Sequence, residues 1–110
     1  MSTLERRLAG VVLPLFSIRS ASDWGVGELP DLARTAPMLE RAGLRALMTL
    51  PLLEPSPGQE SPYSPVSAFA LDPLYVSLDE VEEMAALGGR GALSDDHRAA
   101  LRVARGAYHA

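Results

Sequence analysis

The sequence predicts an α/β fold that contains a pair of parallel β-strands joined by a helix. Two apolar runs, residues 8–16 and 44–53, flank a segment whose apolar residues recur every three or four positions. Apolar runs of this length are typical of strands buried on both faces, as in parallel sheets. Apolar residues that recur every three or four positions, as in the segment between the runs, are typical of an amphipathic helix. Strand, helix and strand in this order form a βαβ unit, whose crossover is right-handed.

The first strand is predicted at Val11–Leu15 and pairs with a second strand at Ala46–Leu50. Pro14 suits the end of the first strand because proline cannot donate to a ladder. Residues 17–30 form a connection that is longer than a minimal one, which favours a functional loop. Within it, residues 25–27 (Gly-Val-Gly) complete neither GxGxxG nor GxxxxGK[ST]. We therefore interpret them as a turn into the first helix rather than as a phosphate-binding loop.

The first helix is predicted between about Asp31 and Ala42. Acidic residues near its start suit the positive end of the helix dipole, and Gly43 suits the left-handed position after its last turn. Pro37 lies in the middle of the pattern and should kink the helix or split it. The predicted buried face consists of Leu32, Ala36, Leu39 and Ala42.

A proline-rich loop follows the second strand. Residues 54–65 contain four prolines in twelve positions, which predicts a rigid loop without regular secondary structure. Tyr63 lies in this loop, where the flanking prolines restrict its backbone. A tyrosine held in this way suits stacking on a sugar ring, and it suits equally a buried anchor of the loop. Trp24, in the first loop, allows the same two interpretations with more weight on packing.

The segment after the proline loop is predicted to form a short strand and a helix. Leu74–Leu78 reads as the strand and Glu80–Leu87 as the helix. Asp79 is the candidate N-cap of that helix, with Glu82 in the capping-box position.

A last helix is predicted over Asp95–Gly106, with Ser94 as its N-cap. Its first residues, Asp95, Asp96 and His97, could suggest part of a metal site. Adjacent helical residues point in different directions, so we interpret them as a solvated helix start.

Composition excludes several classes of function. With a net charge of −4 and a pI of about 5.0, the chain has no basic stripe that would bind nucleic acid. It has no cysteine, which excludes a disulfide scaffold, a thiolate metal site and a cysteine nucleophile. No apolar stretch approaches the ~20 residues needed to span a bilayer. These features favour a cytoplasmic protein with no membrane partner, and 110 residues make one small domain or part of a larger one.

Three stretches, in order between residues 8 and 83, carry the motifs of one enzyme family. Residues 10–20 (GVVLPLFSIRS) are similar to its first strand and Ser-Leu-Arg-Ser ending, and residues 23–29 (DWGVGEL) to its Asn-Trp-Gly-Ile-Gly-Asp-Phe segment. Residues 61–76 (SPYSPVSAFALDPLYV) are similar to its Ser-Pro-Tyr segment, with Asp72 in place of the usual asparagine. The chain thus resembles glycoside hydrolase family 77, the 4-α-glucanotransferases or amylomaltases.

The resemblance implies a (β/α)₈ barrel, of which this chain would be the N-terminal part. Such barrels need ~250 residues, so residues 1–110 would hold about the first two βα units plus an inserted helical region. The implied activity is transfer of α-1,4-glucan segments between maltooligosaccharides by retaining double displacement, without cofactor or metal. The implied catalytic acids, two aspartates and a glutamate, belong to later strands. No catalytic residue is therefore expected in this chain, and the chain alone is expected to be inactive.

The resemblance also implies a binding role for two residues. Tyr63 resembles the tyrosine that stacks on the glucose ring next to the cleaved bond, and Ser61 resembles a neighbouring loop residue. Both would lie after the second strand, on the face where barrel active sites occur. Two alternatives remain open: a non-catalytic sugar-binding or barrel-derived module, and a fragment of an amylase-type α-glucan hydrolase.

Overall fold

The computed structural model describes residues 7–107. Its strands and α-helices, in chain order, are β1 (Gly10–Val12), α1 (Leu29–Arg41), β2 (Ala46–Met48), α2 (Glu82–Ala86) and α3 (Asp95–Ala107). Short 3₁₀ turns lie at Leu15–Ser17, Pro73–Tyr75, Leu78–Glu80 and Gly89–Ala92. Among these residues, no helix is both long enough and apolar enough to cross a bilayer.

The predicted parallel βαβ pairing is confirmed. β1 and β2 pair in parallel, in the register that places Val12 opposite Met48. The amide of Leu13 donates to the carbonyl of Met48 at 2.9 Å and adds one bond beyond the strands. Each strand has only three residues. β1 is shorter than its apolar run because Pro14 starts the 3₁₀ turn at Leu15–Ser17.

The prediction that the strands are buried on both faces is wrong for the described residues. Val12 and Met48, paired in register, are 58% and 65% exposed. Leu47 is half-buried and lines a groove with residues of α1. The described part of the chain therefore covers one face of the sheet, with α1, and leaves the other face open.

The predicted helix is confirmed as α1, and Pro37 does not split it into two helices. A reciprocal capping box between Glu28 and Asp31 starts α1, and Gly43 follows its end with a φ of 76°. Pro37 lies inside the helix, which continues through it. An interior proline destabilises a helix by about 3 kcal/mol, and we attribute the continuity to the two well-formed ends.

The predicted buried face of α1 is only partly right. Leu39 is buried and Leu32 is half-buried, whereas Ala36 and Ala42 are exposed. The residues buried beside Leu39 are polar, namely Asp31 and Thr35. They are satisfied locally, since Asp31 caps the helix and the Thr35 hydroxyl donates to the Asp31 carbonyl at 2.6 Å. Hydrogen bonding therefore compensates their burial, which a count of apolar residues does not anticipate.

The segment between the proline loop and α3 differs from its prediction. Leu74–Leu78 is not a strand, because Asp72 accepts a hydrogen bond from the amide of Leu74 at 2.9 Å and starts a 3₁₀ turn. α2 is shorter than predicted, and Asp79 is not its N-cap. Its carboxylate instead binds Arg90 and Trp24.

The last predicted helix is confirmed as α3. The Ser94 hydroxyl accepts a hydrogen bond from the amide of His97 at 3.2 Å, as an N-cap does. Asp95 pairs with Arg98 on the helix surface. Within residues 7–107, no three His, Asp or Glu side chains are grouped so that they could hold a metal ion.

Candidate substrate-binding loop

The proline loop is closed at its base by a hydrogen-bonded ladder. The backbone bonds join Asp72 N to Leu52 O, Glu54 N to Ala70 O, Val66 N to Glu54 O and Ser56 N to Ser64 O, at 2.8–3.0 Å. Residues 56–64 form the loop beyond the last of these bonds. No helix or extended strand lies in residues 54–65, as predicted, although isolated bridges occur in the ladder.

The sequence reasoning missed this ladder, although the proline spacing contains a signal for it. Pro55 and Pro57 alternate with Glu54 and Ser56, whose amides donate across the ladder. Prolines at the positions that need not donate are compatible with pairing at the edge of a sheet. A run of alternating prolines therefore predicts a paired edge as readily as an irregular loop.

The structure brings Ser61 and Tyr63 together in one turn. The amide of Tyr63 donates to the Ser61 hydroxyl at 3.3 Å, and the amide of Ser64 donates to the Ser61 carbonyl at 3.2 Å. Tyr63 is 69% exposed. In the described part of the chain it is therefore not buried as an anchor of the loop.

A cavity of about 430 Å³ lies beside this turn. Residues 54–60 and Val66 line it, and Ser61 and Tyr63 do not. The two predicted binding residues thus lie outside the cavity, where a ligand would meet them on a surface.

The loops that follow β1 and β2 both begin at the carboxyl end of the sheet, because the two strands are parallel. The loop after β1 contains the most continuously buried segment of the described chain, in which all six residues from Asp23 to Glu28 are buried. Trp24 is 1% exposed, which confirms the packing interpretation of this residue. The core therefore lies under the loops rather than under the sheet.

Two charged residues hold Trp24 in place. The indole nitrogen of Trp24 donates to Asp79 at 3.2 Å, and the guanidinium carbon of Arg90 lies 4.2 Å from the centroid of the Trp24 rings. Arg90 also donates to both carboxylate oxygens of Asp79, at 2.7 and 2.5 Å. The bond from Arg90 lowers the pKa of Asp79, against the opposing effect of burial.

Asp23 organises the start of the buried segment. Burial by itself would raise its pKa, but two bonds from Arg19, at 2.9 and 3.0 Å, and the amides of Ser20 and Gly25 lower the pKa to about 2. Asp23 is therefore ionised at neutral pH and acts as the acceptor around which the loop turns.

A buried ion pair connects this segment to the end of the proline-loop ladder. Arg105 of α3 donates to the Glu28 carboxylate at 2.6 Å, and the two side chains are 10% and 6% exposed. Arg105 also donates to the carbonyl oxygens of Leu74 and Val76. One guanidinium thus joins α3, the N-cap of α1 and the turn that follows the ladder. The sequence reasoning did not single out Arg105, because its partners are 29 or more positions away.

Comparison with known proteins identifies the family. The sequence model of glycoside hydrolase family 77, a family described as 4-alpha-glucanotransferase, matches residues 13–109, which is most of the chain. No solved structure matches the chain.

Curated relatives have the same description. A 4-alpha-glucanotransferase of Oryza sativa subsp. japonica is 38% identical over 81 residues, covering 70% of this chain and 9% of the relative. One of Chlamydia caviae is 38% identical over 69 residues, covering 63% and 13%. One of Mycobacterium tuberculosis is 34% identical over 96 residues, covering 78% and 13%. The chain spans about a tenth of the length of these relatives, and it belongs to glycoside hydrolase family 77, the 4-alpha-glucanotransferases.

Proposed function

We propose that this chain is the first part of the catalytic (β/α)₈ barrel of a 4-alpha-glucanotransferase. β1, α1 and β2 would be the first strand, helix and second strand of that barrel. The open sheet face with Val12 and Met48 supports this, because parallel sheets are normally covered on both faces. So does the radius of gyration of 16.4 Å, since a compact domain of this length has about 13 Å.

The parent enzyme would transfer α-1,4-glucan segments between maltooligosaccharides by retaining double displacement. Its catalytic acids would come from later strands and not from this chain. A cytoplasmic location is part of the proposal, supported by the sequence without cysteine.

Tyr63 carries the proposal for this chain's own part in that activity. It is exposed, it lies in the loop that follows β2, and Ser61 holds its backbone amide. In (β/α)₈ enzymes the loops that follow the strands bind substrate. We assign Tyr63 the stacking surface for the glucose ring next to the scissile bond, and Ser61 a place beside that sugar. A non-catalytic sugar-binding module would use the same two residues. The amylase-type alternative is less well supported, because the matching family is that of the glucanotransferases.

Replacing Tyr63 by alanine should weaken glucan binding without destabilising the chain. The flat ring supplies the stacking surface, so its removal should weaken maltohexaose binding at least about tenfold. Because the ring is exposed, the free energy of unfolding should change by less than about 0.5 kcal/mol. A titration of the 110-residue chain with maltohexaose, followed by NMR chemical shifts, measures the affinity. Urea unfolding of the same chain measures the free energy of unfolding.

Tyr63→Phe is the matched control, since it keeps the ring and removes only the hydroxyl. It should bind maltohexaose within about threefold of the parent affinity if stacking dominates. Cellohexaose, with β-1,4 linkages, should not bind. A Tyr63→Ala variant that binds as the parent does, or that is strongly destabilised, would contradict the assignment.

The 110-residue chain should have no glucanotransferase activity by itself. The acids that the family mechanism requires are proposed to lie in later strands, so no covalent glycosyl intermediate can form on this chain. The measurement is glucose release from maltotriose by the purified chain, compared with a blank without protein. Release above the blank would refute the proposed division of the site.

A further inference from the structure

Arg105 lies at the base of the ladder that carries the Tyr63 turn. Its guanidinium donates to the Glu28 carboxylate at 2.6 Å and to the carbonyl oxygens of Leu74 and Val76. The side chains of Arg105 and Glu28 are 10% and 6% exposed. Further chain that packs on this part of the protein can cover more of its surface but leaves these contacts buried. They therefore belong to the whole protein as well as to this part of it.

The contacts of Arg105 connect the ladder to the start of α1. Glu28 is the N-cap of α1. Leu74 lies in the 3₁₀ turn that begins at the end of the ladder, where the carboxylate of Asp72 accepts a hydrogen bond from the Leu74 amide at 2.9 Å. Loss of the Arg105 contacts would therefore release the base of the ladder from α1.

A ladder of only two segments depends on outside support for its order, because an isolated two-stranded hairpin is at best marginally stable in water. The ladder bond that ends at Ser64 lies next to Tyr63, four residues of strand, or about 13 Å, from the bond at Leu52. At the base, Leu29 of α1 and Leu52 line a cavity, so apolar packing between them is incomplete. The hydrogen bonds of Arg105 thus hold the base where apolar contacts do not.

We propose that Arg105 is a positioning residue for glucan binding, which orders the ladder and, through it, the turn that presents Tyr63. This inference rests on the proposed function and extends it, because it gives α3 a part in substrate binding. Arg105 itself would not touch the glucan, since it is buried at the opposite end of the ladder.

The substitution Arg105→Lys tests the proposal without leaving Glu28 unpaired. Lysine keeps the positive charge, but its single ammonium cannot reach both the carboxylate and the carbonyl oxygens, as the two terminal guanidinium nitrogens do. In the 110-residue chain, the amides of Glu54, Val66 and Asp72 should then exchange with solvent at least about tenfold faster, whereas those inside α1 should stay within about twofold. Amide hydrogen exchange followed by NMR measures both sets.

Leu39→Ala is the matched control for a general loss of stability. Leu39 is buried in α1, and its truncation should accelerate the exchange of both sets of amides by a similar factor. If Arg105→Lys also accelerates both sets equally, Arg105 is a general stabiliser and the inference is wrong. If Arg105→Lys leaves the ladder amides unchanged, the ladder holds itself and the inference is wrong as well.

The affinity for maltohexaose connects the ladder to substrate binding. Arg105→Lys should weaken binding about threefold to tenfold, and Leu39→Ala should leave it within about twofold. Adding Arg105→Lys to Tyr63→Ala should cause no further loss, because Arg105 acts through Tyr63.

The outcomes that contradict the inference separate it from the proposed function. If the losses from Arg105→Lys and Tyr63→Ala multiply in the double variant, Arg105 does not act through Tyr63. If Tyr63→Ala weakens binding and Arg105→Lys does not, the proposed function stands and this inference is wrong. If the parent chain does not bind maltohexaose, the inference and the proposed binding role of Tyr63 both fail.

Discussion

The Gly27→Ala variant is expected to lose about 3 kcal/mol or more of stability, which is a large share of the roughly 5–15 kcal/mol by which folded domains are stable. A methyl group at this position would lie 2.0 Å from the carbonyl oxygen of Leu15 and 2.7 Å from that of Ile18. Both obstacles are backbone atoms, so no side-chain rotation relieves the clash. The Leu15 carbonyl also accepts the bond from Ile18 that closes the 3₁₀ turn, and moving it would break that turn. Urea unfolding followed by circular dichroism measures the loss.

Gly91→Ala is the control for this prediction. No atom lies within 4 Å of the methyl group that it would add, and the backbone there is not in the left-handed region. Its free energy of unfolding should stay within about 0.5 kcal/mol of the parent value. If the unfolding midpoints of the two variants coincide, the close packing of the loop after β1 against the 3₁₀ turn is not what stabilises the chain.

Arg105→Met is expected to destabilise the chain by about 3–5 kcal/mol, the usual effect of removing one partner from a buried ion pair. The Glu28 carboxylate is 6% exposed and would remain buried without its cation. The carbonyl oxygens of Leu74 and Val76 would lose a donor as well. Thermal and urea unfolding give the size of the effect.

A double variant separates the buried charge from the other roles of Arg105. Adding Glu28→Gln removes the uncompensated charge while keeping an oxygen that can cap α1, so the double variant should be more stable than Arg105→Met alone. Arg98→Met is the control on the same helix. Arg98 pairs with Asp95, whose side chain is 91% exposed, and donates one hydrogen bond to the carbonyl oxygen of Arg90 at 2.9 Å. The substitution leaves no buried charge without a partner, so it should change stability by about 1 kcal/mol. Equal effects of Arg105→Met and Arg98→Met would disprove the importance of the buried pair.

Local patterns in the sequence were sufficient for much of the fold. The parallel pairing, α1 with its capping residues and Gly43, and α3 with its Ser94 cap all follow from signals within a few residues. The three motifs were likewise sufficient to identify the family that the matching model confirms. The roles of Ser61 and Tyr63 stay a prediction, which their shared exposed turn supports.

The contacts between residues that are distant in sequence depend on the tertiary structure and do not follow from local patterns. Asp79 looked like an N-cap because Glu82 lies three positions later, yet its carboxylate binds Trp24, 55 positions away, and Arg90. Arg105 pairs with Glu28, which lies 77 positions away in sequence, and no local pattern indicates that either residue belongs to a buried pair. The proline-rich segment is ordered by a ladder whose second side begins near Ser64. Short-range propensities determine where helices begin and end. The partner of a buried charge is determined by the tertiary fold, because the two charged residues are distant in sequence and meet only in the folded chain.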